Sequence, residues 1–191
     1  MKKILIGFIA IGLLTFVGCE KDDDTDTDKG DDITDTSSGE AKDTDGNVYT
    51  SVTIGIQEWM VENLRTSKYS DGTSIPNVTG NTDWSSLSTG AWSHYDNDSS
   101  QYEATYGKLY NWYAVETGKL CPTGWHVPTD AEWTVLTDYL TANGHNGGEG
   151  SALKATSGWN SGGNGTDDYG WNGLPGGNRD YLNGYVDYVG N

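Results

Sequence analysis

The chain is short of bases, phenylalanine, proline and cysteine. Eleven Lys and Arg face 28 Asp and Glu, for a net charge of −17. Phosphate binding needs clustered Lys and Arg, so this balance excludes a nucleic-acid partner. Both Phe, Phe8 and Phe16, lie in the first 19 residues, and only 21 Ile, Leu and Val occupy residues 46–191. Such a low aliphatic content by itself hints at disorder. No apolar run reaches the roughly 20 residues of a spanning helix, which excludes a multi-span membrane protein. No segment recurs at a period of roughly 20–50 residues, so solenoids and propellers are excluded as well. Glycine without a three-residue period excludes collagen, and the missing heptads exclude a coiled coil.

What the chain does have is Trp and Tyr. All 8 Trp and 12 Tyr lie beyond residue 45. Each can bury roughly 150–250 Å², enough to replace the missing aliphatics. A core of Tyr and Trp without Phe keeps a polar handle on every ring. The expected domain is therefore wet, rich in loops and suited to polar ligands.

The first 18 residues read as a targeting segment. Lys2-Lys3 is a positive n-region, and Ile4 to Val17 is an apolar run of 14 residues broken only by Gly and Thr. That is too short to span a bilayer and suits a signal peptide. Phe16-Val17-Gly18-Cys19 resembles the lipobox of bacterial lipoproteins, with Phe16 where Leu is usual. The resemblance implies cleavage before Cys19 and a lipid on its thiol, a stable anchor at roughly 0.8 kcal/mol per buried CH₂. Residues 20–45 hold twelve acids against three lysines, and Ile33 is their only large apolar residue. Such a segment cannot bury enough surface to offset its ordering entropy and is expected to be an extended tether. The run Glu20-Lys21-Asp22-Asp23-Asp24 resembles the acidic tag that sends some lipoproteins to the cell exterior, which places the chain on the outer membrane facing outward.

The organisation predicted is a signal peptide over 1–18, an acidic tether over 19–42 and one domain over 43–191. Asp45-Gly46 signals a turn, and Val48 to Ile54 alternates like a half-buried strand. Gly55 punctuates, and Gln57-Glu58-Trp59-Met60 returns as the second strand of a hairpin. Residues 65–104 read as long loops with short strands. Tyr106, Leu109, Tyr110 and Tyr113 have helical spacing and predict a first helix over 106–115. A second helix starts at Thr129, with Glu132 completing a capping box, buries a stripe of Trp133, Leu136 and Leu140, and stops at Gly144. Trp112 is expected in the core with Trp133 and Leu136. Residues 143–180 read again as Gly- and Asn-rich loops. The fold class is α+β, with short antiparallel strands, two helices and long loops.

The motifs Asp45-Gly46-Asn47-Val48-Tyr49, Trp59-Met60, Glu62-Asn63-Leu64, Tyr106-Gly107, Leu109-Tyr110-Asn111-Trp112, Cys121-Pro122, Gly124-Trp125-His126-Val127-Pro128 and Leu174-Pro175-Gly176-Gly177 occur in order. Together they resemble the Fibrobacter succinogenes major paralogous domain, whose members are typically secreted or surface proteins of bacteria. Val127-Pro128-Thr129-Asp130-Ala131-Glu132-Trp133 is similar to the start of a helix in formylglycine-generating enzymes, which implies a C-type-lectin-like fold. Members of the family usually continue with a Trp-rich strand and a closing strand that ends in Cys. This chain ends at Val189-Gly190-Asn191, so the C-terminal part of the domain is expected to be missing. With Cys19 lipidated, the resemblance implies that the partner of Cys121 is absent from this chain.

Catalysis has little to draw on. A nucleophile–His–acid arrangement could use only His94, His126 or His145. His126 reads as packed in its turn and His145 as exposed in a loop. One Cys in the domain and scattered His give no zinc spacing. Formylglycine-type oxidation needs a cysteine pair, and no pair of carboxylates stands out for glycoside hydrolysis. The chain is therefore expected not to be an enzyme, the alternative being a hydrolase or modification enzyme that uses the same loops. Asp96-Asn97-Asp98, Asp167-Asp168, Asn160 and Asn172 offer hard oxygen ligands that leave calcium open as a cofactor; solvated turn residues are the plainer alternative. Trp159-Asn160, Trp171-Asn172, Asp167, Asp168 and Tyr169 form the candidate ligand-binding set, with Trp faces for a sugar ring and amides for its hydroxyls. The competing account is that both Trp fill a small core. The function expected is that of a lipid-anchored surface module that binds an extracellular glycan or a protein partner.

Overall fold

The computed structural model describes residues 19–21 and 40–191. The signal peptide over 1–18 and most of the tether, residues 22–39, lie outside the described residues. In chain order the strands are β1 (Glu20–Lys21), β2 (Ala41–Lys42), β3 (Val48–Tyr49), β4 (Ser51–Ile54), β5 (Gln57–Met60), β6 (Trp92–Ser93), β7 (Leu109–Tyr110), β8 (Trp125–His126), β9 (Gly176–Arg179) and β10 (Val186–Val189). The α-helices are α1 (Asn81–Ser85), α2 (Ser99–Tyr106), α3 (Trp112–Val115), α4 (Asp130–Leu140) and α5 (Glu149–Leu153). Short antiparallel strands and separate helices make this an α+β fold.

The hairpin around Gly55 forms as its punctuation predicts. β4 and β5 pair antiparallel from Ser51↔Met60 to Ile54↔Gln57. Gly55 has φ +67°, and a Cβ there would lie 2.9 Å from the Tyr139 ring, so only glycine fits. β1 then pairs with β5 on one side and β8 on the other, which gives a four-stranded sheet in the order β4-β5-β1-β8. α4 begins with the predicted capping box: Thr129 caps the helix and the Glu132 side chain returns to the Thr129 backbone. Leu136 and Leu140 are fully buried on its inner face.

Two clusters fill the interior. One gathers Tyr49, Met60, Leu64, Ile75, Leu120 and Trp125 around a disulfide. The other gathers Ile54, Trp59, Leu136, Leu140, Leu153 and Trp171. Trp59 meets Trp133 at 4.9 Å and Trp171 at 6.0 Å between ring centroids. The polar handles of the rings anchor loops. Nε1 donates to Ile75 O from Trp92, to Gly173 O from Trp159 and to Met60 O from Trp171. The Tyr110 hydroxyl donates to Thr66 O, and the Tyr49 hydroxyl donates to Asp43 while accepting from the Arg65 N–H. Burial, and for Tyr49 also the Asp43 carboxylate, pushes both hydroxyls up from the usual range. A phenylalanine core could not hold these loop carbonyls, whose loss would leave them unsatisfied.

Four expectations are corrected. The helix over 106–115 is split: α2 ends at Tyr106, β7 follows and α3 starts at Trp112. Gly107, at φ +65°, makes the break, because a Cβ there would stand 2.5 Å from Leu64 O. Trp112 is 68% exposed rather than in the core. The domain starts before residue 43, since β2 pairs with β3, and Cys19 to Lys21 belong to the fold rather than to a tether. Finally, Cys121 does have a partner: it is bonded to Cys19, across 102 residues. The Cys19 sulfur expected to carry a lipid is occupied by that bond, and one sulfur holds only one of the two. β1, laid beside β8, brings Cys19 next to Cys121, a long-range placement that residue spacing does not announce.

Candidate functional site

Four of the sequence motifs meet at one cleft. Asn63, Leu64, Tyr106, Lys108, Leu109, Tyr110 and β9, Gly176 to Arg179, line a space of about 120 Å³. Gly107 lets the Tyr106–Lys108 segment run directly over Leu64. There the Lys108 N–H donates to Leu64 O at 3.0 Å and Asn63 Nδ2 donates to Tyr106 O at 3.2 Å. The opposite wall is the β9–β10 hairpin, in which Arg179 pairs with Val186 and Asn178 with Asp187.

The cations of the cleft are committed to the fold. Lys108 Nζ donates to Arg65 O at 2.7 Å, pairs with Glu103 and lies 4.8 Å over the Trp92 ring. Arg179 donates to Gly184 O, Val78 O and Thr79 O and stacks 4.4 Å over Trp84. Its burial pulls the guanidinium below its usual range. Among the described residues, the buried Asn178 Oδ1 has no hydrogen-bond partner, so an acceptor in the cleft wall stands unused.

The same hairpin carries exposed rings. Tyr181, Leu182, Tyr185 and Tyr188 are 75%, 71%, 65% and 59% exposed. Tyr188 lies between Asp187 and Val189, whose partners are Asn178 and Gly176, so it stands across from Gly177. Its φ of +67° is costly for a bulky residue.

The Gly-rich loop expected to bind is arranged differently. Trp159 and Trp171 are buried and their Nε1 atoms are spent on backbone, so neither face is open to a sugar. Core filling, the competing account, is what the structure has. Asp167 Oδ1 accepts from the Asn172 N–H at 2.7 Å, Asp168 accepts from Thr166, and Tyr169 packs against Tyr139 and His145. Asn160 is exposed at a short turn. The loop does bring Asp167, Asp168, Tyr169 and Asn172 together, as a self-satisfied turn. Asp98 of the other proposed calcium cluster caps α2 by accepting from the Gln101 N–H and from Ser100, which hold its carboxyl below the usual range.

Each histidine faces carboxylate. His94 Nε2 is 3.4 Å from Glu103, and His145 Nδ1 is 3.7 Å from Asp168. His126, read from sequence as merely packed, has Glu132 Oε1 at 2.9 Å and Glu20 Oε2 at 3.8 Å. Burial, then the nearby Glu132 charge, pushes the Glu20 carboxyl up against the opposing pull of His126. Sequence reasoning missed Asn178 and the tyrosine hairpin. The signal was there in Gly176-Gly177 followed by Tyr181, Asn183-Gly184 and Tyr185, a turn dipeptide between short extended segments.

The Fibrobacter succinogenes major domain matches residues 52–188 of the chain. Comparison with curated proteins and with solved structures gives no match.

Proposed function

The chain belongs to the Fibrobacter succinogenes major domain family, and on that premise we propose that its folded part is a binding module for an extracellular polysaccharide or glycan. The observation that carries this reading is the exposed Tyr181, Tyr185 and Tyr188 on the hairpin that walls the cleft. Flat rings take the apolar face of a sugar. The strained φ of Tyr188 agrees, because such strain collects where a side chain must be aimed. Export follows from Lys2-Lys3 and the apolar run after them. Chains whose Cys19 sulfur stays out of the disulfide carry the lipid anchor and present the module outside the outer membrane. We take the module to bind without turnover; His94, His126 and His145 each lie against a carboxylate.

Affinity electrophoresis of the full chain through gels that hold soluble plant or bacterial polysaccharides tests this. Retardation by at least one polysaccharide is expected, with roughly tenfold weaker binding in Tyr185→Ala or Tyr188→Ala, since a stacked ring is worth on the order of 1–3 kcal/mol by analogy with base stacking. Equal retardation of both variants, or release of reducing ends by the same preparation, would sink the reading.

A further inference from the structure

We infer that Glu20, His126 and Glu132 form a binding site for a divalent first-row transition ion, with zinc as its best occupant. Three elements supply the ligands. Glu20 on β1 stands directly across from His126 on β8, and Glu132 comes from the first turn of α4. One atom from each, Glu20 Oε2, His126 Nε2 and Glu132 Oε1, lie within 4.8 Å of one another. His126 Nε2 is 2.9 Å from Glu132 Oε1 and 3.8 Å from Glu20 Oε2. A tetrahedral ion with bonds of about 2.0–2.2 Å holds its ligand atoms about 3.4 Å apart, so these separations bracket what it needs.

The burial of Glu20 sets this group apart from an ordinary surface cluster. Glu20 is 5% exposed, and its Oε2 has no hydrogen-bond partner among the described residues. A buried carboxylate oxygen left so, beside a second carboxylate, is costly unless a cation compensates it. Glu132 is already oriented. Its Oε2 accepts from the Thr129 N–H and hydroxyl, both at 2.6 Å, which turns Oε1 toward His126. The helix cap thus acts as the outer support that metal ligands commonly have. His126 and Glu132 keep about a third of their side-chain surface exposed, so water can complete the coordination and the ion can enter. One imidazole with two carboxylates suits zinc and its neighbours, whereas calcium takes six to eight oxygens. Sequence spacing found no zinc site because its first ligand lies 106 residues before the second.

Isothermal titration of zinc chloride into the metal-stripped, oxidised full chain should show one saturable site per molecule. Glu20→Gln and His126→Gln should each weaken that site at least tenfold while circular dichroism stays unchanged. The imidazole resonances of His126 should shift with one equivalent of zinc while those of His94 and His145 stay in place, a measurement that needs no variant. Equal zinc binding by both variants would assign the ion to the acidic residues elsewhere and overturn the site. So would unmoved His126 resonances, or calcium displacing zinc at equal concentration.

Discussion

At the scale of the residue, the same ring type serves opposite ends according to what surrounds it. Trp171 is 3% exposed, lies edge-on to Trp59 and Trp133, and donates Nε1 to Met60 O. Tyr188 is mostly exposed and held in a conformation that its side chain disfavours. Trp171→Ala should therefore cost about 3–5 kcal/mol in urea unfolding, from the cavity and the orphaned carbonyl together. Binding per folded molecule should not change. A variant that unfolds at the wild-type midpoint but binds weakly would return Trp171 to the site.

At the scale of the element, loops are held by side chains rather than by long ladders. The turn between β2 and β3 is clamped to residues 66–68 through Asp45. Its Oδ2 accepts from the Ser67 hydroxyl at 2.8 Å and Oδ1 meets Lys68 Nζ at 3.1 Å. Partial burial pushes the Asp45 carboxyl up, but the Ser67 N–H and hydroxyl and the Lys68 ammonium outweigh it and hold it at about 2. A carboxyl depressed on folding stabilises the fold above its unfolded value of about 3.9, and that contribution is lost as pH falls through the folded value. Asp45→Asn should thus be less stable than wild type near neutral pH, with the gap closing between about pH 4 and pH 2. Thermal unfolding at stepped pH measures it; a gap that stays constant down to pH 2 would mean the carboxylate charge is not what holds the clamp.

At the scale of the molecule, one sulfur is tied into the fold, and the proposed lipid would have to compete for it. Cys19 closes a disulfide with Cys121 and pins β1 between β5 and β8, which completes the sheet and positions Glu20. Closing so long a loop contributes up to about 4–5 kcal/mol in the chain-entropy account. A lipid on Cys19 uses the same sulfur. Chains labelled with a fatty-acid analogue should therefore carry a reactive Cys121 thiol, and unlabelled chains should carry none until reduced. Intact mass after alkylation in denaturant without reductant reads both at once, and a labelled chain that resists alkylation would place the label elsewhere than on the Cys19 sulfur.

The local features of this fold were legible in the chain because each needs only neighbours. Gly55 turns a hairpin whatever lies beyond it, and Thr129 with Glu132 starts α4 by hydrogen bonds that span three residues. The substitution of Trp and Tyr for aliphatic residues also announced a core with polar tips, as Trp92, Trp159, Trp171, Tyr49 and Tyr110 bear out. Helical spacing misled at Tyr106 to Tyr113, because the φ that Gly107 takes answers to Leu64, 43 residues earlier. Exposure was not legible either: the helical spacing that reads Trp112 as core cannot tell which face the rest of the chain covers. Only the tertiary structure brought Asn63, Tyr106 and Asn178 to one cleft, or Glu20 to His126 and Glu132. Such pairings depend on which strands lie side by side, and that is settled by the burial of the whole core rather than by any stretch of sequence.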